Sequence, residues 1–275
     1  MRLELLEIVF PADTLRSIVH SYWVVEDLTG RYSGELIRTS PIPFAVLSVN
    51  MGRPNMLAGG GTVPDVSLLG LQTQARAWVS VPGTRFVMIM LTMRGFAHLF
   101  PNIGEVSRDA LLDFADMFGD PSARLLKSSI GEGQTSQQIA SVLDGWIVRR
   151  MSNGSPSSGS RQLASAYDVI RAGGRVEAAA QHVGTNPRQL HRLFLRHVGV
   201  APKQIADIER LHRSLSELQR GGESTLQGYS DQSHQIRQWR RRLNLTPGAY
   251  AETSDQRMKR YFGQERNLPP LSYYL

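Results

Sequence analysis

The sequence predicts an α+β protein with a small N-terminal β-sheet or barrel domain that ends in helices, followed by an all-α domain. Short β-like runs separated by turn residues occupy residues 43–92, whereas the chain from residue 161 onward shows helical spacing and almost no strand signal. Charge divides the chain at the same place. Residues 1–160 carry 13 Lys and Arg against 14 Asp and Glu, and residues 161–275 carry 18 against 10. The net charge of +7 therefore belongs to the C-terminal part.

Three runs in the N-terminal part predict strands. They are rich in Val, Ile, Leu and aromatic residues and are Pro43–Met51, Leu68–Val81 and Phe86–Thr92. The turn Pro82-Gly83-Thr84 precedes the last of them. Together they predict a small sheet or barrel.

Two helices are predicted after the strands. Asp109–Phe118 is the first, and Ile139–Ile147 is the second, with apolar residues spaced i, i+3, i+4, i+7 and i+8 and with Thr135 or Ser136 as its cap. The apolar face of the second helix is expected to pack on its own sheet, with pairing of two chains as the alternative.

A run of small, polar and turn-forming residues at 152–160 predicts a flexible linker. The chain is therefore expected to divide into four parts. They are a sensing or dimerisation domain at 1–151, the linker at 152–160, a DNA-binding domain at 161–252 and a tail at 253–275.

Helical periods dominate after the linker. Leu163–Arg171 predicts one helix, and Val176–Val183 predicts a short second helix that ends at Gly184. A third helix follows at once, with Asn186 as its N-cap and Pro187 at its first position. Two short helices joined by a turn that contains Gly are typical of a helix-turn-helix.

The outer face of the third helix carries the predicted DNA-reading residues. They are Arg188, Gln189, His191, Arg192 and Arg196. Arg pairs bidentately with guanine and Gln with adenine in the major groove. A solvated, Arg-rich helix face is the alternative, as is an Arg bias in composition, since only three of the 31 basic residues are Lys.

A second basic helix is predicted further along. The long helix Pro202–Leu218 leads to it, and Ser230 or Asp231 caps it. Its inner stripe is predicted to be Ile236, Trp239 and Leu243, and its outward residues are Ser233, His234, Arg237 and Arg241. The run Arg240 to Arg242 is expected to contact phosphates, which carry no sequence information.

Three phrases in fixed order resemble the DNA-binding region of AraC-type (AraC/XylS) transcriptional regulators. They are Asn186-Pro187-Arg188-Gln189-Leu190-His191-Arg192-Leu193-Phe194, Gly228-Tyr229-Ser230-Asp231-Gln232-Ser233-His234 and Leu245-Thr246-Pro247-Gly248-Ala249-Tyr250. The resemblance covers residues 163–252 and implies two helix-turn-helix modules joined by a long helix. It implies base contacts by Arg188, His191 and Arg192 in the first module and by Ser233, His234 and Arg237 in the second. The N-terminal half resembles the sensor-type module that often accompanies such regions, through Ser21-Tyr22-Trp23, Leu69-Gly70-Leu71-Gln72-Thr73 and the helices after Pro101.

The sequence departs from the family pattern in its second module. Only Glu223–Gln227 lies between Gly222 and Gly228, where the family has a positioning helix, and Gln235 occupies a place that is usually apolar. The second module is therefore predicted to be shortened. The hypothesis is that the first module supplies most of the affinity and the second acts as a weakened, non-specific clamp.

The composition argues against an enzyme. The chain has no Cys, which excludes disulfides, thiolate metal sites and the reactive Cys of the DNA-repair relatives of this family. Residues 1–160 hold only His20 and His98, too few for a metal-dependent barrel, and Gly59-Gly60-Gly61 matches no phosphate-binding motif. Ser230, Asp231 and His234 lie on one helical segment and are expected to cap the helix and contact DNA. No catalytic residue, metal or cofactor is predicted.

These observations predict a soluble, cytoplasmic, sequence-specific transcription regulator whose partner is double-stranded DNA, with no membrane segment. A small-molecule effector, a homodimer and RNA polymerase are the further partners considered, and no effector-binding residue is nominated. The alternative is a weak or non-specific DNA binder that acts through protein-protein contacts because its second module is truncated.

Overall fold

The computed structural model describes residues 6–30, 32–34, 36–152, 154–219 and 228–253. The described strands are β1 Leu6–Val9, β2 Val19–Asp27, β3 Leu36–Thr39, β4 Ala45–Asn50, β5 Met56–Leu57, β6 Val66–Leu69, β7 Arg76–Val79, β8 Thr84–Leu91 and β9 Leu111–Asp113. The described helices are α1 Met93–Leu99, α2 Gly104–Ser107, α3 Phe114–Phe118, α4 Asp120–Ser129, α5 Ser136–Ser152, α6 Ser158–Arg171, α7 Val176–His182, α8 Pro187–Val198, α9 Pro202–Gln219, α10 Gln232–Leu243 and α11 Pro247–Thr253. A single 3-10 turn at Asp13–Leu15 lies between β1 and β2.

The described strands form two antiparallel sheets. The larger sheet has the order β1-β2-β8-β4-β6-β9, and the smaller has the order β3-β7-β5. The predicted α+β fold with an N-terminal sheet and helical C-terminal region is therefore confirmed. The larger sheet is open, because its two edge strands, β1 and β9, do not pair with each other. It therefore does not close into a barrel. Helices cover one of its faces, and the smaller sheet packs against the other through Trp78.

Side chains of the larger sheet alternate between two apolar layers, as the period of a strand requires. Tyr22 and Val24 of β2 join a layer shared with the helices, whereas Trp23 and Val25 face the opposite way. Trp78 of β7 packs against this second layer, so the smaller sheet lies over that face. Both faces of the central strands are therefore buried.

One apolar core runs from the sheet into the C-terminal half. It includes Val24 and Leu47 of the sheet, Leu163 of α6, and Phe194 of α8, all nearly inaccessible to solvent. Helix α1 contacts both α6 and α8. The two halves of the chain are thus packed against each other.

The predicted flexible linker is wrong for residues 158–160, which form the first turn of α6. The Ser157 side chain caps this helix by accepting a hydrogen bond from the Ser160 amide, and Ser160 is buried. Gly159 lies so close to α8 that an added Cβ would fall 2.8 Å from His197 Nε2. Small residues at 158–160 allow close helix packing here, and composition alone does not separate that use from flexibility.

Two other predictions need correction. Leu68–Val81 is two strands, β6 and β7, which belong to different sheets. The predicted helix Asp109–Phe118 begins only at Phe114, because Leu111–Asp113 pairs with β6 as strand β9. The predicted strands Pro43–Met51 and Phe86–Thr92 correspond to β4 and β8.

The apolar face of α5 packs in the chain's own core, where Ile139, Leu143 and Ile147 are fully buried. Of the two roles considered for this face, packing within its own chain is the one observed. The face is therefore not available for pairing with a second chain. Within the described residues, no helix is both long enough and apolar enough to cross a membrane.

Candidate nucleic-acid interface

Helix α8 has sequence signals that fix where it begins. Asn186 Oδ1 accepts a hydrogen bond from the Gln189 amide at 2.9 Å, and Pro187 takes the first helical position. Gly184, with a φ of +67°, makes the turn that separates α8 from α7. Leu190 and Phe194 bury the inner face. The predicted helix-turn-helix geometry of this module is therefore present at residues 176–198.

The outer face of α8 carries all five residues predicted for the first module. Arg188, Gln189, His191, Arg192 and Arg196 are exposed to solvent. Gln189 accepts a hydrogen bond from the Thr185 hydroxyl at 2.6 Å, which orients its amide near the start of the helix. Arg196, at the other end, donates from Nε to Asn102 Oδ1 at 2.8 Å. The first four residues form a basic and amide-bearing surface, and Arg196 is engaged by the N-terminal half.

Helix α10 is capped by Asp231, as one of the two predicted alternatives has it. Its Oδ1 accepts a hydrogen bond from the His234 amide at 2.7 Å. That bond, followed by the bond from the Ser230 hydroxyl, holds the pKa of Asp231 below its ordinary value. The residues Ser233, Arg237 and Arg241 are exposed. His234 is half-buried, with Nδ1 3.3 Å from Ser230 Oγ and its ring edge-on to Tyr229.

Ser230, Asp231 and His234 do not adopt the order of a catalytic relay. In such a relay the His lies between the nucleophile and the carboxylate. Here Asp231 Oδ2 accepts from the Ser230 hydroxyl at 3.0 Å, and its other oxygen caps the helix. The arrangement is that of a capped helix N-terminus. Within the described residues, no group of three or more His, Asp or Glu side chains could hold a metal ion.

The expected phosphate contact by Arg242 is wrong, because this side chain is buried with 3% exposure. Arg242 Nη2 lies 3.2 Å from Asp207 Oδ2 on α9, and Nη1 donates to the Thr73 carbonyl at 3.0 Å. Burial lowers the pKa of the Arg242 guanidinium, and the neighbouring Asp207 carboxylate opposes that shift. The adjacent Arg240 and Arg241 are exposed, so the run of three arginines divides between the surface and the interior.

The inner stripe of α10 differs by one position from the predicted one. Gln235, Trp239 and Leu243 are buried, while Ile236 is only partly buried. Gln235 donates from Nε2 to Ser214 Oγ on α9 at 3.3 Å, which gives its amide a partner in the interior. Trp239 packs in a small apolar cluster with Leu211 and Leu215 of α9. With Gln235 rather than Ile236 on the inner face, α10 is rotated about its own axis relative to the prediction, and Arg242 faces inward.

Helix α9 contacts both α8 and α10 and so connects the two basic helices. Its apolar positions Ile205, Ile208, Leu211 and Leu215 are buried, as their three-or-four spacing predicts. The shortened segment Glu223–Gln227, on which the prediction of a weakened second module rests, lies outside the described residues. The same is true of the tail from residue 254 onward.

Comparison with known proteins places a domain on this part of the chain. A protein-family model described as "Helix-turn-helix domain" matches residues 179–253. ToxT from Vibrio cholerae O395 is a structural neighbour with 12% identity over 80% of this chain and 94% of that chain, and a TM-score of 0.42. The AraC-like transcriptional activator CuxR is another, with 14% identity over 72% of this chain and 74% of that chain, and a TM-score of 0.25. No curated protein sequence matches the chain.

Proposed function

We propose that this chain, whose residues 179–253 are a helix-turn-helix domain of the AraC type, is a sequence-specific DNA-binding transcriptional regulator modulated through its N-terminal half. The observation that carries the proposal is the outer face of α8. There Arg188, Gln189, His191 and Arg192 are all exposed on a helix capped at its N-terminus. A recognition helix contacts base edges with the residues near its N-terminal end, which is where these four side chains lie.

The side chains of α8 suit the major groove. Arg188 and Arg192 are one helical turn apart and can each pair with guanine O6 and N7, while Gln189 can pair with adenine. Each good bidentate pair discriminates against a wrong base by roughly 1–3 kcal/mol. Arg196 lies two turns from Arg188; its Nε donates to Asn102, and we assign its Nη groups a phosphate contact.

The second module is proposed to read DNA through α10. Ser233, His234 and Arg237 take the base-facing positions, and Arg241 contacts the backbone. The inward rotation of Arg242 leaves Arg240 and Arg241 as the basic pair at the C-terminal end of this helix. The capped N-terminus and the buried Trp239 support a helix that holds its shape, so we expect the second module to contribute to specificity.

The N-terminal half is proposed to receive a small-molecule effector between its two sheets. The layer there is apolar and includes Trp23, Met88 and Met90, with Phe44 and Trp78 only partly buried at its margin. An effector that binds there would be largely apolar, because the side chains that would contact it are apolar. A homodimer and a contact with RNA polymerase are proposed as the means by which the bound chain acts on transcription.

The first test compares single substitutions in the full chain. DNA selected by the wild-type chain from a random duplex pool serves as the probe, with a scrambled duplex as the non-specific reference. We expect Arg192→Ala to weaken binding to the selected site by about ten- to hundredfold and to bring it near the scrambled duplex. Arg237→Ala is expected to cause a smaller loss with the same sequence dependence.

Arg149→Ala provides the control, since it removes one exposed positive charge from α5, outside the proposed interface. It should leave binding to both duplexes nearly unchanged. Equal affinity of the wild-type chain for selected and scrambled DNA, with the same steep salt dependence for both, would contradict sequence-specific recognition. It would favour the non-specific binder that acts through other proteins.

A further inference from the structure

The N-terminal half holds the C-terminal end of the first recognition helix. Gly104 of α2 lies so close to α8 that a Cβ on Gly104 would fall 2.4 Å from the Leu195 carbonyl oxygen and 2.6 Å from the Gly199 amide nitrogen. Beside this contact Arg196 donates to Asn102 Oδ1. The end of α8 is thus fixed by backbone contact and by a hydrogen bond.

A different segment of the N-terminal half holds the same end of the second recognition helix. The Ala75 amide donates to the Arg242 carbonyl at 2.6 Å, and Arg38 Nη2 donates to the Leu243 carbonyl at 2.7 Å. Carbonyls in the last turn of a helix lack partners within the helix. The N-terminal half therefore supplies the donors that complete α10, and the side chain of Arg242 adds the bond to the Thr73 carbonyl.

Asp109 joins these two segments. Its Oδ1 accepts a hydrogen bond from the Thr73 amide at 2.6 Å, and its Oδ2 accepts one from the Thr73 hydroxyl at 2.7 Å. Its carbonyl accepts a bond from Arg76 Nη2 at 2.6 Å. Residues 102–109, which hold α8, are in this way bonded to residues 73–76, which hold α10. We call residues 102–109 and residues 73–76, together with the hydrogen bonds that Asp109 forms between them, the brace.

We propose that Asp109 is a positioning residue that, through the brace, fixes the separation of the two DNA elements that the chain accepts. The proposal rests on the proposed function, because the separation of α8 and α10 matters only when both helices enter DNA grooves. Elements read by helices in successive major grooves lie about 10 base pairs apart. Helix α9 touches both recognition helices, and the brace is a second connection between them. Two connections fix a distance and an angle more narrowly than one.

The backbone at Asp109 determines which variants give a clear result. Its φ is +52°, a left-handed conformation that Gly adopts freely and that Asn tolerates better than most residues. Asp109→Gly removes the carboxylate without straining the backbone. Asp109→Asn keeps an acceptor oxygen for the Thr73 amide and an NH2 group that can donate to the Thr73 hydroxyl. Asp109→Gly loses the two carboxylate bonds to Thr73 and keeps the carbonyl bond to Arg76, so the pair of variants separates loss of those two bonds from loss of the charge.

The experiment selects DNA with the full chain from a random duplex pool and reads the distribution of separations between the two enriched sequence blocks. The wild-type chain and Asp109→Asn are expected to give one separation. Asp109→Gly should give the same two blocks at several separations and bind the wild-type site about tenfold more weakly. A structural role alone would weaken binding without changing the separations.

A single, unchanged separation for Asp109→Gly would overturn the proposal while leaving DNA recognition intact. A wild-type chain that enriches only one block would also overturn it, since no separation would then exist to be fixed. No enriched sequence at all from the wild-type chain would contradict the proposed function and the brace with it. Circular dichroism and thermal unfolding check each variant. Should Asp109→Gly fail to fold, Thr73→Val takes its place; it removes one of the two carboxylate bonds, that of the hydroxyl, and is expected to broaden the distribution of separations to a smaller extent.

Discussion

Arg241 and Arg242 are adjacent in sequence, and we expect their replacement by Ala to affect two different properties of the chain. Arg242→Ala removes a buried guanidinium that bonds Asp207 and the Thr73 carbonyl. Arg241→Ala removes an exposed guanidinium on the same helix. The first variant should lose stability, and the second should lose DNA affinity with its stability nearly unchanged. The two variants share the residue type, the helix and the number of atoms removed.

The expected loss for Arg242→Ala follows from its surroundings. Removing one partner of a buried ion pair costs about 3–5 kcal/mol, because the other charge stays buried without compensation. Asp207 keeps Arg210 as a second partner, and Arg242 Nε is itself buried without a hydrogen-bond partner in the described part of the chain. Both facts favour the lower end, about 3 kcal/mol. For a chain of this size that corresponds to a fall in Tm of roughly 6–12 °C.

Urea or thermal unfolding of the full chain measures the first effect, and DNA binding over a salt series measures the second. Arg241→Ala should reduce the slope of log binding constant against log salt concentration by about 1, as expected when one phosphate contact is lost. The reasoning would be refuted by an Arg242→Ala chain within about 0.5 kcal/mol of wild type, the range of ordinary surface substitutions. An Arg241→Ala chain as unstable as Arg242→Ala would refute it equally.

Three further substitutions test other contacts. Gly104→Ala should cost about 1–3 kcal/mol in thermal unfolding, because its Cβ would overlap backbone atoms at the end of α8. Burial, followed by the nearby charges of His20 and Arg213, lowers the pKa of His212 to about 4. Its contribution to stability is therefore complete above pH 6.5 and is lost as the pH falls to 4. His212→Gln should remove up to about 3 kcal/mol of that dependence in urea unfolding at several pH values. Asn186→Ala should cost about 1 kcal/mol in thermal unfolding by removing the cap of α8.

Each of these has a contradicting result. Gly145→Ala on α5 is the control for Gly104→Ala, since its new Cβ would meet only the flexible end of Arg149 at 3.4 Å, and it should stabilise the chain by about 0.5–1 kcal/mol. A destabilised Gly145→Ala chain together with an unaffected Gly104→Ala chain would contradict the close packing inferred between α2 and α8. Stability of the His212→Gln chain that falls between pH 6.5 and 4 as steeply as in wild type would assign the titration to another group. An unchanged Asn186→Ala chain would show that the cap contributes nothing.

The helices of the C-terminal half could be predicted from sequence because their signals are local. The cap Asn186, the turn at Gly184 and the apolar spacing of α9 all lie within a few residues of the structure that they determine. The outward positions on α8 followed from the same spacing. Helical periodicity and capping therefore predicted which residues of α8 are exposed, and the contact of these residues with DNA stays a prediction.

The rotation of α10 could not be fixed in the same way. Gln235, Trp239 and Arg242 share a face at the spacing i, i+4 and i+7, yet two of these three residues are polar. Their burial depends on Ser214 and Asp207, which lie on α9 and supply the hydrogen-bond partners. A sequence pattern that ranks residues by hydropathy chooses Ile236 instead. The spacing identifies this buried face of α10 only when the hydrogen-bond partners on α9 are known.

The central strand β2 and the contacts of the brace were also beyond the sequence signals used. Both faces of β2 are largely buried, so its side chains show no alternation of polar and apolar residues. Thr73 and Asp109 are 36 positions apart, and nothing near either residue indicates the other. Hydrogen bonds between residues so far apart in the sequence are determined by the overall fold and not by local sequence patterns.

The apolar core shared by the two halves has a consequence for how such a regulator can change over time. Leu163, Phe194 and Val24 contribute to a single core, so a C-terminal half transplanted onto a different N-terminal half would expose an apolar surface that its new neighbour does not match in shape. Exchange of whole domains between regulators is therefore obstructed here. Under the proposed function, new DNA specificity is more accessible through substitutions at the exposed positions of α8, such as Arg188 and His191, which the core does not use.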